Sequence, residues 1–332
     1  MPTSISTVGA LNGVLTVTIT DLNGVDYRAS ISFSYTTNFE YLSMFSATSY
    51  PLDTDTWVID DIAATTADFA GLSAAIQSLS NDESTRKIKL EFPNLEAIPD
   101  YAIFGESEYN SISTSVLTSV SSSKATNIGD YAFGSCMSLT SVNFPSALSI
   151  GDYSFHYCVS LLDISAPSVL TIGEYAFRDC FAVETFSFPS ATSIGNIAFG
   201  TCRALTTVDL PLVTSVGRYA FHYCSSLVDI ELPLTISFGD SVFYDCTSLK
   251  TVSLPSIVSI GYSSFIECPL LDNVKLATNS GVLLNELGYE SFPTPANVDL
   301  TVGAANASLI SDNTITVGDY SYTFKSITVL SE

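Results

Sequence analysis

Seven cysteines and two histidines are the residues of this chain whose chemistry would matter most if they met. Thiolates and imidazoles bind zinc, thiols pair as disulfides, and a cysteine beside a histidine forms a nucleophile with its base. The cysteines are Cys136, Cys158, Cys180, Cys202, Cys224, Cys246 and Cys268, an unbroken step of 22 residues. Cys-x-x-Cys pairs, the usual zinc spacing, do not occur. His156 and His222 fall three steps apart. If each step is one turn of a stacked coil, with strands about 4.8 Å apart, the imidazoles lie roughly 15 Å from each other. At that distance they share neither a metal nor a catalytic site, and both read as surface polar residues. The same stacking brings neighbouring cysteine Cα atoms roughly 5 Å apart, within disulfide range. Parallel side chains aimed into an apolar interior instead predict a buried ladder of free thiols that pack as small hydrophobes.

The elements that would hold these residues share the period. Gly129, Gly151, Gly173, Gly195, Gly217, Gly239 and Gly261 step by 22, as do seven phenylalanines from Phe133 to Phe265 and six prolines from Pro145 to Pro255. Several registers that repeat together without an insertion mark a solenoid. One unit runs Leu205-Thr206-Thr207-Val208-Asp209-Leu210-Pro211 and continues to Val216-Gly217-Arg218-Tyr219-Ala220-Phe221-His222-Tyr223-Cys224. Leu205, Val208 and Leu210 have the apolar spacing of a leucine-rich-repeat strand, and Pro211, with no N–H to offer the ladder, ends it. The glycine is read as permitting a tight turn. An acidic residue follows it (Asp130, Asp152, Glu174, Asp240), which suits the N-terminus of a short helical turn. The phenylalanine then plugs the core, and the tyrosines Tyr131, Tyr153, Tyr175 and Tyr219 are expected to pack between coils.

This unit resembles the BspA-like class of leucine-rich repeats, whose copies carry the same Ile-Gly-x-x-Ala-Phe-x-x-Cys-x-x-Leu string. The resemblance covers about half the chain. Members of that class are mostly surface, secreted or host-interacting proteins, so it implies recognition or adhesion. A degenerate copy, Leu90-Glu91-Phe92-Pro93 with Ile98-Pro99-Asp100-Tyr101-Ala102, puts the first coil at residues 87–116, carrying an insertion of about eight residues within 105–116.

Exposed terminal coils need caps, and both ends read as β-rich. Val14 to Thr20 and Tyr27 to Tyr35 alternate around Leu22-Asn23-Gly24-Val25, a hairpin signal. Thr66 to Ser80 sets Phe69, Leu72, Ile76 and Leu79 on one face of a helix that would cap the first coil. Val298 to Val302, Thr314 to Val317 and Tyr320 to Val329 read as strands, with turns at Asp312-Asn313 and Gly318-Asp319. The stretch from Ile315 to Phe324 resembles hairpins common in phage head and tail proteins. The expected architecture is a leucine-rich-repeat solenoid, mostly parallel β with short helical or 3-10 turns, flanked by β-rich terminal modules. Its divisions are residues 1–86, an N-terminal module with a capping helix; 87–278, the solenoid; and 279–332, a C-terminal β-rich module.

Charge narrows function. Eleven basic residues against 34 acidic give a net charge of −23, which repels phosphate backbones and anionic lipid surfaces, so no nucleic-acid partner is expected. No segment has the apolar length to cross a bilayer as a helix, so no membrane insertion is expected. Residues 1–20 contain no Lys or Arg and no continuous apolar block, so no secretory signal peptide of the usual kind is expected there. Nucleotide-binding, metalloprotease and serine-hydrolase motifs are lacking; no enzymatic activity, cofactor or metal is expected. Asp21 to Asp26 and Asp53 to Asp55 lack the full spacing of a calcium loop. Alternation along the strands turns Asp163, Glu184, Asp209, Asp229 and Glu231 outward, a shallow acidic surface for a basic partner, or a sheet face kept soluble by its charge. Two functions follow: a non-enzymatic interaction or adhesion protein that displays this surface to a protein or glycan, or a structural component of a larger particle such as a virion, docked through its β-rich ends. Either places the chain at an extracellular surface or in a virion rather than in cytoplasmic metabolism.

Overall fold

The computed structural model describes residues 87–103, 117–292 and 295–331, and the backbone of three earlier strands, Val14–Thr20, Asp26–Ser32 and Asp55–Ile59. Each repeat makes one turn of a solenoid with three sides. A front strand such as Thr207–Asp209 is followed, past the proline, by a two-residue flank strand such as Ser215–Val216, and then by a run of tight turns that leads into the next coil. Pairings between the standard coils are parallel and in the 22-residue register: Ile172 lies between Ile150 and Ile194, and Val216 between Ile194 and Phe238. The flank strands form one nine-stranded sheet from Ala97–Ile98 to Glu286–Leu287. Ile98 pairs with Ile128, so the first coil takes 30 residues, eight more than the standard unit, while Ile260 pairs with Leu287 across a coil of 27.

The front ladder extends at both ends. Asp55–Ile59 pairs in parallel with Ile88–Glu91, and Val14–Thr20 and Asp26–Ser32 add antiparallel strands beyond it. At the other end the ladder continues past residue 278 through Asp299–Val302 to Ser326–Val329. The two N-terminal strands expected from alternation are thus present as an antiparallel pair; their Asn23-Gly24 turn and the Thr66–Ser80 helix lie outside the described residues.

The turn side departs from expectation. No helical turn follows the glycines; among the described residues the only helices are 3-10 segments at Pro295–Asn297 and Ala304–Leu309. Instead each coil folds through two left-handed residues, for example Tyr153 at φ 56° and Tyr157 at φ 60°. Such conformations cost about 1–2 kcal/mol for a side chain with a Cβ. Bonds between coils hold them: Tyr153 N–H donates to the Glu174 carbonyl, Phe155 N–H to Ala176 and Tyr157 N–H to Arg178, each at 2.8 Å. The carboxylate after the glycine caps no helix. It reaches one coil forward: Asp130 Oδ1 accepts from Asp152 N–H at 2.8 Å and Asp152 Oδ1 from Glu174 N–H at 2.6 Å.

None of the repeat glycines is left-handed, so the tight-turn reading of the glycine column is corrected. Each is small because the backbone of the preceding coil lies against its Cα. A Cβ on Gly173 would stand 2.6 Å from the carbonyl carbon of Gly151.

Inside, phenylalanine rings stack coil upon coil from Phe133 to Phe292, with centroids 5.0–5.7 Å apart. The cysteines form the ladder expected of them: all seven are free and buried. They also do more than fill space. The thiols of Cys158, Cys180, Cys202 and Cys224 each donate to the phenylalanine carbonyl of the preceding coil at 3.2 Å. Burial pushes the Cys224 and Cys268 thiols up to about 12, so the reactive thiolate is scarce at neutral pH. A disulfide-exchange reagent is therefore expected to leave the native protein nearly unlabelled and to titrate all seven thiols once it is unfolded without reductant. Rapid native labelling, or fewer free thiols after unfolding, would contradict the ladder.

The C-terminal strands cap the stack. Thr314–Val317 and Tyr320–Thr323 form a hairpin with its turn at Gly318-Asp319, as anticipated. Tyr322 and Phe324 pack on Phe292, the last ring, at 5.6 and 5.2 Å. The tyrosine hydroxyl accepts from Ser291 N–H at 3.1 Å and donates to the Gly288 carbonyl. The single strand expected over Tyr320 to Val329 is two. Phe324 N–H adds a last hairpin rung to the Asn313 carbonyl at 2.8 Å; Lys325 N–H then turns to the Val298 carbonyl at 3.0 Å, and Ser326–Val329 joins the front ladder.

Candidate interaction surface

Alternation on the front strands sends one residue in two inward. In Asp229–Glu231 the middle residue, Ile230, is buried and both carboxylates are exposed. In Thr207–Asp209, Val208 is partly buried and Asp209 exposed; Asp163 begins its strand exposed, and Glu184 is exposed just before Thr185–Ser187. All five carboxylates proposed from sequence therefore stand on the outer face of the front sheet. Asp209 and Glu231 occupy one column on successive coils, with Asp229 beside them. Glu184 lies one coil before Asp209, and Asp163 one coil further. Ser187 Oγ–H donates to Asp209 Oδ2 at 2.8 Å, which fixes that carboxylate while leaving it exposed.

Sequence reading passed over the lysines that border this patch. Lys275 is exposed two coils along the column of Asp209 and Glu231, directly paired through Ser253, and Lys250 is exposed one coil before it. Beyond them, Lys325 Nζ meets Asp299 Oδ2 at 2.6 Å, and Ser326 also donates to that carboxylate. The acidic patch thus gives way along the solenoid to mixed charge, Lys250, Lys275 and Lys325 interleaved with Asp272 and Asp299. The signal was present, since Lys250 and Lys275 sit at outward repeat positions, but counting by net charge hid it.

On the turn side, Tyr101, Tyr131, Tyr153 and Tyr175 stack face to face with centroids 4.9, 4.5 and 4.5 Å apart. Burial and the neighbouring Tyr175, Tyr131 and Glu174 push the Tyr153 hydroxyl up to about 12. The column is broken at Ile197, and Tyr219 makes an edge contact with His222 instead. The two histidines stay apart, as their spacing requires. His156 Nε2 lies 3.5 Å from Asp179 Oδ2, which Arg178 Nε approaches to 3.3 Å. Burial alone would raise the Asp179 carboxyl, but the hydrogen bond from His156, the Arg178 charge and a further bond from Thr201 hold it below its ordinary value. His222 Nδ1 is 2.8 Å from the Tyr219 carbonyl, and burial depresses its basicity. Among the described residues no three His, Cys, Asp or Glu side chains gather to hold a metal ion, and no helix is long and apolar enough to cross a membrane.

Comparison with known proteins agrees with the repeat. A family model described as "BspA type Leucine rich repeat region" matches six copies over residues 77–205 and 170–294, more than half of the chain. A search of curated proteins returns no match. Among solved structures, the chain is similar to a leucine rich cell surface protein from Faecalibacterium prausnitzii, with 16% identity over 84% of this chain and 96% of that one, TM-score 0.28. A leucine-rich repeat protein from Eubacterium ventriosum is 16% identical over 76% of this chain and 74% of that one, TM-score 0.40. A chain of the Drosophila Toll–Spatzle complex is 13% identical over 75% of this chain and 43% of that one, TM-score 0.34.

Proposed function

The chain belongs to the BspA-type leucine-rich-repeat family, and on that premise we propose that it is a non-enzymatic binding protein whose front sheet holds a basic segment of a protein partner, as an adhesin does. The observation that carries this reading is the exposed carboxylate group of Asp209, Asp229 and Glu231 on a rigid ladder, set among small Ser and Thr side chains. Rigid strands hold the charges in fixed register, so little ordering remains to oppose binding. Glu184 and Asp163 extend the patch by two coils toward the N-terminus.

The test uses the full chain, immobilised, against native protein extracts and a panel of Lys/Arg-rich peptides, beside the triple variant Asp209→Asn, Asp229→Asn, Glu231→Gln. Capture that weakens with salt and falls at least about tenfold in the triple variant, at an unchanged thermal midpoint, is expected. Equal capture by both proteins would overturn the front face as the binding surface. A second reading, assembly into a virion or other particle through the ends, draws on the outermost front strands, Asp26–Ser32 and Ser326–Val329, each of which has one edge unpaired among the described residues. Co-sedimentation of the chain with purified particles separates it from the first.

A further inference from the structure

The stretch that joins front strand to flank strand carries no charge. In six successive coils, residues 145–150, 167–172, 189–194, 211–216, 233–238 and 255–260, there is no Asp, Glu, Lys or Arg, in a chain with 34 acidic and 11 basic residues. The strip is also apolar at its surface. Leu148, Leu170, Leu212, Leu234 and Ile236 are 43–50% exposed. It is stiff, because Leu170 N–H bonds to the Leu148 carbonyl, Thr192 to Leu170, Thr214 to Thr192 and Ile236 to Thr214, at 2.8–2.9 Å. Between the apolar ends lies a waist of hydroxyl residues whose donors are already used. Thr192 and Thr214 commit their hydroxyl hydrogens to the carbonyls of Leu170 and Thr192, both at 3.1 Å.

We propose that this strip is a homodimer interface, on which two copies pack flank to flank and antiparallel about a two-fold axis between the Thr192 and Thr214 coils. Charge selects the occupant. A chain of net charge −23 repels its own copies from faces that carry its carboxylates, and here two copies meet without them. The pattern is self-complementary, as a two-fold contact requires. One column reads Leu148, Leu170, Thr192, Thr214, Ile236 and Val258 over the six coils, apolar at both ends and hydroxyl in the middle. Rotation about that axis sets Thr192 on Thr214 of the second copy, Leu170 on Ile236 and Leu148 on Val258. At the rim it sets Asn196 beside Arg218; Asp240, which falls opposite Glu174, is already paired with its own Arg218 at 3.2 Å. Six coils about 4.8 Å apart, each contributing about 20 Å of chain, cover roughly 580 Å² per copy, or ~1,150 Å² in all, above the ~1,000 Å² expected of a specific interface.

The test is sedimentation equilibrium of the full chain at micromolar concentration. The wild type is expected to sediment as two chains. Leu170→Lys and Ile236→Glu, each an exposed position, are expected to sediment as one chain with an unchanged thermal midpoint. Mixing these two variants is expected to restore a dimer, because only the antiparallel register brings the introduced lysine against the introduced glutamate while the other Leu170–Ile236 contact stays intact. A monomeric wild type, or variants that remain dimeric, would overturn the proposal. Dissociation of both variants without recovery on mixing would overturn the antiparallel register. The front-face variant of the preceding section leaves the strip untouched, so the two readings fail separately.

Discussion

Gly195→Val is expected to destabilise the protein by about 3 kcal/mol or more, among the larger effects a single substitution produces. A Cβ on Gly195 would stand 2.6 Å from the Gly173 carbonyl carbon and 2.7 Å from both the Gly173 oxygen and the Glu174 nitrogen. All three are backbone atoms, and none can rotate away. The coils cannot simply part, because Gly195 N–H donates to the Ile172 carbonyl at 2.8 Å and Gly217 N–H to Ile194 at 2.9 Å. The lesion therefore acts on two interfaces at once, and in a solenoid each coil is stable only through its neighbours. Gly281→Ala provides the contrast. That glycine is left-handed, at φ 74°, but nothing lies within 4 Å of its absent Cβ, so the cost is only the conformational ~1–2 kcal/mol. Urea denaturation followed by circular dichroism measures both. Equal losses would mean that the glycine column answers to backbone conformation, as the sequence first suggests, and not to the close approach of coils.

That contrast shows where sequence reasoning reached and where it stopped. A strict period identifies neighbours along the solenoid without any structure, so the thiol ladder, the separation of His156 from His222 and the outward placement of Asp209 and Glu231 were all legible. A period says much less about how the chain closes each turn. Glycine before an acidic residue has two local explanations, a tight turn at a helix start or a backbone packed against another backbone, and only the stacked coils decide between them. Tyrosine at φ 55° in Tyr131 and 56° in Tyr153 runs against local preference; it is held there by bonds to the next coil and by the ring stack, both absent from any single repeat. The front-sheet strand Asp55–Ile59 was missed because it has neither a period nor a nearby turn partner, and pairs with Ile88–Glu91 across a long connection. The split of Tyr320 to Val329 was likewise invisible, since one backbone bond from Lys325 to Val298 draws the chain off the hairpin where alternation alone continues it. In the candidate surface, outward carboxylates followed from alternation; the lysines beyond them required the columns to be read through to the last coils.

Phe199→Ala is expected to cost about 3–5 kcal/mol, the range for deleting a buried aromatic ring. Phe199 is fully buried and stacked between Phe177 at 5.7 Å and Phe221 at 5.1 Å, with Phe186 against it at 4.6 Å. The hole cannot fill by collapse. Its upper and lower walls are rings fixed by the inter-coil bonds Phe177 N–H to the Ala198 carbonyl and Phe199 N–H to Ala220, both at 2.8 Å. Ring pairs of this kind add about 0.5–1.5 kcal/mol each beyond burial, and Phe199 has two on the ladder alone, which favours the upper end of the range. A second consequence separates this residue from an ordinary core phenylalanine. Coupling in a repeat array runs only between nearest neighbours, so a break near the middle leaves two shorter stacks joined by a weakened interface. The urea transition of Phe199→Ala is therefore expected to shift to lower concentration and also to broaden or split. A transition that moves but stays as steep as the wild type would show that the front and flank ladders alone carry cooperativity across the coil, and that the ring stack contributes burial without coupling.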